Sequence, residues 1–418
     1  MSLDFEALYS KNAQNLKKSV IRELLKLTNK PEIISFAGGL PAPCTFPVED
    51  IKEIVGKVLD QEYMKALQYG ATEGDVGLKE ELVKFLKERN IPWITPDHLL
   101  ITTASQQALD MVGKVFIDPG DSVIVGLPSY IGALGAFNAY RANLIGIPLL
   151  LDGMDVAYFK KTLKELNLKK KIPKFVYVIP DFQNPAGITF SLKTRKELLS
   201  LAHEYGFIII EDAPYRELRY NGKAVPSLLE LDKGEGMVLT LFTFSKIFIP
   251  GFRLGWIAGH PDLISKFVIA KQSMDLCTPP FTQCIAREYL KKGEINNRIR
   301  DNIALYKVKK DLMLECLDKE MPKNAGVTWT KPEGGLFLFT YLPESISADE
   351  MFHDAIKENV AYVIGSAFYC NGKGHNTFRL NFSYPSHQEI REGIKRLGNC
   401  VKKKLTGTKR SASACQGD

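Results

Sequence analysis

Between residues 98 and 258 the chain alternates two kinds of hydrophobic pattern. Short, nearly continuous apolar runs occur at His98–Thr103, Ser122–Val125, Phe175–Ile179, Phe207–Ile210, Val238–Phe244 and Leu254–Ala258. They are too short for helices and rich in Val, Ile and Phe, so they read as strands. Between them, Ser105–Ile117, a segment starting near Tyr130, and Leu192–Tyr205 read as helices, the last with Ser191 placed as its N-cap. Phe207–Ile210 has no polar position, as expected of a strand buried on both faces. Such alternation predicts βαβ units and a mostly parallel sheet with helices on both sides. On sheets of this kind function gathers just beyond the carboxyl ends of the strands.

Outside that stretch the pattern changes. Gly77–Arg89 is helical, with Leu78, Leu82, Phe85 and Leu86 on one face. After Pro261 come helical Asp262–Ser273, Phe281–Leu290 and the long Asn297–Met321. Strand-like Gly335–Tyr341, Ala361–Val363 and Phe378–Phe382 follow, with helices at Ser347–Glu358 and His387–Lys403. This second half reads as a separate α+β domain. Helical Ser19–Leu27 and the loop Phe36–Pro47 are expected to pack between the two domains. Leu405–Asp418 is rich in Ser, Thr, Gly and Ala and reads as a disordered tail. The expected divisions are an N-terminal segment over residues 1–48, a large domain over 49–300, a small domain over 301–404 and the tail over 405–418.

Composition narrows the function classes. The 418 residues are 45% apolar and 25% charged, as in an ordinary globular protein. No apolar run approaches the roughly 20 residues of a membrane helix, and the polar start of the chain lacks a signal-peptide core, so a cytosolic protein is expected. The seven cysteines include no CxxC pair, and the six histidines are scattered. Free thiols and no metal site are expected. The net charge of +7 is weighted toward the C-terminus. A solvated tail accounts for it better than nucleic-acid binding does, and anionic substrates or cofactors suit a basic chain.

The chemistry sits where the strands end. Thr243-Phe244-Ser245-Lys246-Ile247-Phe248 places a lysine among large apolar residues. Desolvation there disfavours the ammonium and makes the amine a nucleophile. Ser245 and Thr243 before it and Arg253 after it supply an anion site. An aldehyde that also carries a phosphate, pyridoxal phosphate (PLP), fits that pairing as a Schiff base. Asp212 ends an apolar strand, where its carboxylate could pair with a pyridinium nitrogen or simply cap a turn, and Tyr215 follows three residues on. Asn184 stands in the turn Asn184-Pro185-Ala186-Gly187. Ser105 and Gln106 open a helix, whose free N–H groups suit a phosphate. Tyr130 could lie on a planar ring or belong to the core. Arg379, in an apolar strand, needs an anionic partner, either a carboxylate ligand or a structural ion pair.

Together and in this order these motifs resemble one family, the fold-type I, PLP-dependent class I/II aminotransferases. The resemblance covers residues 5 to 404. It rests on Tyr69-Gly70, Gly74 and Gly77-Leu78, Ser105-Gln106-Gln107, Pro128-Ser129-Tyr130, and Asn184-Pro185-x-Gly187. Asp212-x-x-Tyr215, Ser245-Lys246, Arg253-x-Gly255, Pro332-Glu333-Gly334-Gly335 and Arg379-Leu380 complete it. It implies a large domain with a mostly parallel seven-stranded sheet, plus a smaller α+β domain made from the C-terminal part and the N-terminal segment. It implies that Lys246 bonds to the cofactor and then moves the substrate proton, that Asp212 pairs with the ring nitrogen, and that Asn184 and Tyr215 bond the ring oxygen. Tyr130 would stack on the ring. Ser105, Gln106, Thr243, Ser245 and Arg253 would hold the phosphate, joined by Tyr69 from a neighbouring subunit, which makes a homodimer with shared sites. Arg379 would clamp the substrate carboxylate.

A narrower likeness is to the 2-aminoadipate/kynurenine aminotransferase subgroup, on Ile21-Arg22-Glu23-Leu24-Leu25-Lys26 and Ile34-Ser35-Phe36-Ala37-Gly38-Gly39-Leu40-Pro41. There Arg22 would meet a distal carboxylate and Gly39 would line the substrate pocket, with 2-aminoadipate, glutamate, aromatic or branched-chain amino acids as donors and 2-oxoglutarate as acceptor. Thr243 and Ala186 depart slightly from the usual residues. Two other functions share the scaffold. One is a β-eliminating lyase. The other is the sensor domain of a transcription regulator, against which stand the few residues that precede Ile33.

Overall fold

The structure is a computed structural model and describes residues 3–14, 16 and 31–414. The expected helix Ser19–Leu27, with Arg22, lies outside the described residues.

The apolar runs become the middle of one sheet. Phe175–Val178, Val238–Thr243 and Gly255–Ala258 are buried at every position, because helices cover both faces and leave no side for a polar residue. The spatial order is Leu99–Thr102, Gly255–Ala258, Val238–Thr243, Ile208–Asp212, Phe175–Val178, Ser122–Leu127, Asn143–Leu150, Gly153–Met154. Gly255–Ala258 runs antiparallel to both of its neighbours. The strands from Val238–Thr243 through Asn143–Leu150 are mutually parallel. Among the described residues this sheet has eight strands rather than the expected seven, because Gly153–Met154 folds back antiparallel onto Leu149 and Leu150.

Helix Ala104–Phe116 lies on Val238–Thr243 and Gly255–Ala258, and Leu192–Tyr205 lies beside Ile208–Asp212. Ser191 caps the latter as expected, accepting the Thr194 N–H at 3.1 Å. The helices Val48–Ala66 and Val156–Leu168 had no clear signal in the sequence. Val48–Ala66 buries only Ile54, Val58 and Ala66, too sparse a face for periodicity to reveal. Strand Asn143–Leu150 was equally hidden, since Gly146 and Pro148 both argue against a strand.

The second half holds an antiparallel sheet in the order Thr328–Trp329, Phe337–Tyr341, Thr377–Asn381, Val363–Ile364. Ile34–Ser35 pairs with Val360–Ala361, which ties that early strand to this half. The long helix Glu294–Glu320 packs on the final helix, His387–Ala414. That helix runs on to Ala414, into the segment 405–418 expected to be a disordered tail. Leu405 still packs against the core, and the Thr406 hydroxyl donates back to the carbonyls of Lys402 and Lys403 in the preceding turn. Among the described residues no helix is long and apolar enough to cross a membrane.

Candidate active site

The parallel strands deliver their carboxyl ends to one edge of the sheet, and a cavity of about 400 Å³ opens there. Leu99–Thr102 leads to Ala104, Ser105 and Gln106, Ser122–Leu127 to Tyr130, and Phe175–Val178 to Asn184. Ile208–Asp212 ends on Asp212 with Tyr215 beyond it, and Val238–Thr243 leads to Ser245 and Lys246. Because Gly255–Ala258 runs the other way, Arg253 precedes it at the same edge. Gly39, Leu40, Phe337 and Arg379 close the cavity from the other half. Tyr69 is not among its walls and is 80% exposed.

Lys246 Nζ donates to the Gly39 carbonyl at 2.7 Å. Burial pulls its ammonium down to about 8, helped by the positive Arg379 and Arg253. Asp212 moves the opposite way. Burial pushes its carboxyl up to about 7, opposed by the Tyr177 hydroxyl, which donates to Oδ2 at 2.6 Å. Its other oxygen, Oδ1, is buried without a hydrogen-bond partner. A buried carboxylate oxygen left bare is costly unless a donor or cation meets it.

Asn184 bridges two groups. Its Nδ2 donates to the Tyr215 hydroxyl at 3.3 Å, and its Oδ1 accepts from Arg379 Nη1 at 2.8 Å. Arg379 Nη2 donates to the Ala37 carbonyl at 2.8 Å, while Nε is buried without a partner. The guanidinium lies 4.1 Å above the Phe337 ring and 5.2 Å from that of Phe368, a cation–π setting that orients it. Burial lowers Arg379 to about 10, so it stays charged at neutral pH.

At the far end Thr243 Oγ1 donates to Ser245 Oγ at 2.9 Å and accepts the Ser245 N–H at 3.1 Å. Ser105 and Gln106 lie in the first turn of Ala104–Phe116, where backbone N–H groups lack helical partners. Gln106 Nε2 donates to the Gly132 carbonyl at 3.1 Å. Gly132 is required there, since a Cβ would lie 2.5 Å from the Tyr130 ring and 2.6 Å from Gln106 Oε1. With hydrogens alone at that position, Tyr130 can fold across the start of its own helix.

Tyr177, Phe337 and Phe368 belong to this constellation and were missed in the sequence. Tyr177 carried a signal, because a buried strand tyrosine must find a partner for its hydroxyl. The two phenylalanines looked like core. A wider groove of about 650 Å³, lined by Glu350, Asp354, Lys357 and Lys403, lies elsewhere in the second half and shares no residue with this site.

The family model for aminotransferase class I and II matches residues 42–397. The chain belongs to this family. It is 49% identical to aromatic-amino-acid aminotransferase 1 of Thermococcus litoralis, over 97% of this chain and 96% of the relative. A crystal structure of Pyrococcus horikoshii kynurenine aminotransferase, in complex with PMP, superposes with a TM-score of 0.92 at 48% identity, covering 96% of this chain and 98% of that one. The alpha-aminoadipate aminotransferase of Thermus thermophilus, complexed with N-(5'-phosphopyridoxyl)-L-leucine, gives 0.89 at 39% identity, with 97% and 100% covered. The protein is thus a PLP-dependent aminotransferase of the fold expected from the sequence.

Proposed function

We propose that this aminotransferase works in two half-reactions in the cavity above Lys246. An L-amino acid gives up its amino group in the first, and a 2-oxo acid, foremost 2-oxoglutarate, receives it in the second. The observation that carries the reading is the bare Oδ1 of buried Asp212, in a cavity whose other end carries hydroxyls, helix N–H groups and Arg253. One end suits a protonated ring nitrogen and the other a phosphate.

When bound, PLP supplies an aldehyde that takes up amines and a ring that draws electrons from the neighbouring carbon. The chain's residues do the rest. Asp212, oriented by Tyr177, would face the ring nitrogen and keep a proton on it. Asn184 and Tyr215 hydrogen-bond the ring oxygen, and Tyr130 covers the ring. Ser105, Gln106, Thr243, Ser245 and Arg253 anchor the phosphate. Lys246, whose neutral form is accessible near pH 8, would hold the cofactor through its amine and would be the base and acid for the substrate α-carbon proton. Arg379, held by Asn184 and the phenylalanine rings, binds the α-carboxylate.

The active unit is a homodimer. Tyr63, Met64, Leu67, Tyr69 and Val76 leave apolar side chains exposed on one chain, more than a monomer ordinarily shows in one region. A second copy covering them would bring Tyr69 to the neighbouring subunit's phosphate. The six described cysteines are all free, in keeping with a cytosolic location.

Among the described lining residues the cations are Lys246, Arg253 and Arg379, each already assigned. Leu40, Pro41, Tyr130 and Phe337 suit an apolar or aromatic donor side chain. A distal carboxylate, as in 2-aminoadipate or 2-oxoglutarate, is met by Arg22. The test is the absorption spectrum of the PLP-loaded protein. An amino donor should remove the bound cofactor's band and 2-oxoglutarate should restore it. Pyruvate and ammonia released from a β-substituted amino acid without any acceptor would instead show a lyase. Arg22→Ala should raise KM for 2-aminoadipate and leave that for phenylalanine unchanged.

A further inference from the structure

Behind the phosphate end of the cavity lies a polar cluster that touches none of the groups assigned above to substrate or ring. Lys271, at the end of helix Pro261–Gln272, has a fully buried side chain. Its Nζ donates to Asp275 Oδ1 at 2.7 Å and Oδ2 at 2.9 Å, and to Gln107 Oε1 at 3.1 Å. Gln107 Nε2 donates to Asp275 Oδ2 at 2.6 Å, so donors on one side and a carboxylate on the other fix the amide's orientation. The same Gln107 Oε1 accepts the backbone N–H of Thr103 at 2.8 Å, and Thr103 Oγ1 donates to Asp275 Oδ2 at 3.2 Å.

Those bonds converge on a strained turn. Thr103 is the residue before helix Ala104–Phe116, and Ala104 has φ of 59°, a left-handed conformation that alanine avoids. The neighbouring strand presses on it, since a Cβ at Gly255 would lie 3.1 Å from the Ala104 backbone and 2.6 Å from the Phe242 carbonyl. Ser105 and Gln106 follow immediately. The Ala104 backbone therefore sets the direction in which the first N–H groups of the helix point.

We infer that Lys271, Asp275 and Gln107 are positioning residues for the cofactor phosphate, holding the Thr103–Ala104 turn so that Ser105 and Gln106 present their donors to it. A merely structural ion pair would stabilise the fold without regard to the phosphate. Here the carboxylate and the amide both end on the turn that opens the anion site, and the buried lysine holds those two side chains together. The inference rests on the reading that Ser105, Gln106 and Arg253 bind the phosphate.

The test compares PLP with pyridoxal, which has the same ring and aldehyde but no phosphate. Dissociation constants are measured by absorption titration of the full-length protein. Lys271→Met combined with Asp275→Leu removes both charges, so neither stays buried and unpaired. Gln107→Met is the independent second variant and decides the matter should the first not fold cooperatively. The expected result is a rise of about ten-fold in the dissociation constant for PLP, the loss of roughly one good charge-assisted hydrogen bond, with that for pyridoxal unchanged. Equal shifts for both ligands, or a shift for neither, overturn the inference. Arg253→Met serves as the reference. Should it fail to separate the two ligands, the phosphate reading itself fails. Should it separate them while the cluster variants do not, only the positioning role fails.

Discussion

Asp212→Asn should make the cofactor-free protein more stable at pH 8 while removing nearly all activity. Burial pushes the Asp212 carboxyl from 3.8 to about 7, against a single opposing hydrogen bond from Tyr177 to one oxygen, and Oδ1 is left bare. Between those pH values the folded chain holds a proton that the unfolded chain has lost, so stability falls as pH rises through this window and is flat above it. The shift of about three pK units corresponds to on the order of 4 kcal/mol. Of this, on the order of 3 kcal/mol falls between pH 5 and 7. Asparagine carries no charge and can still accept the Tyr177 hydroxyl, so its contribution does not vary over that range.

Urea unfolding of the cofactor-stripped wild type and variant at pH 5 and pH 8 gives the difference directly. The variant's advantage should grow by a few kcal/mol from the lower to the higher pH. Added PLP should reverse the order at pH 8, because only a carboxylate gains from a protonated ring nitrogen. Parallel stability curves for the two proteins would refute the reasoning. They would mean that Asp212 is not an uncompensated charge in the empty site.

Three further outcomes follow from the same geometry. Lys246→Ala should abolish turnover yet retain noncovalent PLP, as checked by steady-state assay and equilibrium dialysis, and normal turnover would remove that lysine from its role. In the wild type, the rate of PLP uptake by stopped-flow absorbance should climb with pH toward a plateau above about 8, where Lys246 is neutral. A rate that is flat across this range would contradict the assignment. Tyr177→Phe strips the one hydrogen bond from Asp212 Oδ2 and should weaken PLP binding by about five- to ten-fold, read by the same titration, with an unchanged dissociation constant as the contrary result.

The sheet was legible because its strands are buried on both faces. Phe175–Val178 and Ile208–Asp212 leave no alternation to interpret, only length and β-branched content. What escaped was shaped by context. Asn143–Leu150 tolerates Gly146 and Pro148 because it lies toward the edge of the sheet, where the antiparallel two-residue strand Gly153–Met154 is its outer neighbour. Val48–Ala66 buries few residues, and its exposed Tyr63 and Met64 dilute the amphipathic signal a sequence reader relies on.

The site was legible in a different way. Its chemistry-bearing residues announce themselves by type and by place, since Asp212 ends a strand, Lys246, Asn184 and Ser105 each follow one, and a parallel sheet must bring such positions to one edge. Their supporting partners do not. Tyr177 lies mid-strand, 35 residues from Asp212, and only the sheet register sets it beside that carboxylate. Phe368 reaches Arg379 from the short turn Gly365–Phe368 packed on strand Thr377–Asn381, and Lys271 reaches Thr103 through Gln107. Spacing along the chain carries no trace of such pairings. They arise because a buried charge or a strained turn must be satisfied by whatever the fold places next to it. Local sequence therefore reveals which groups can react. The strength of each group, whether an amine near 8 or a carboxyl near 7, is set by neighbours that only the folded chain assembles.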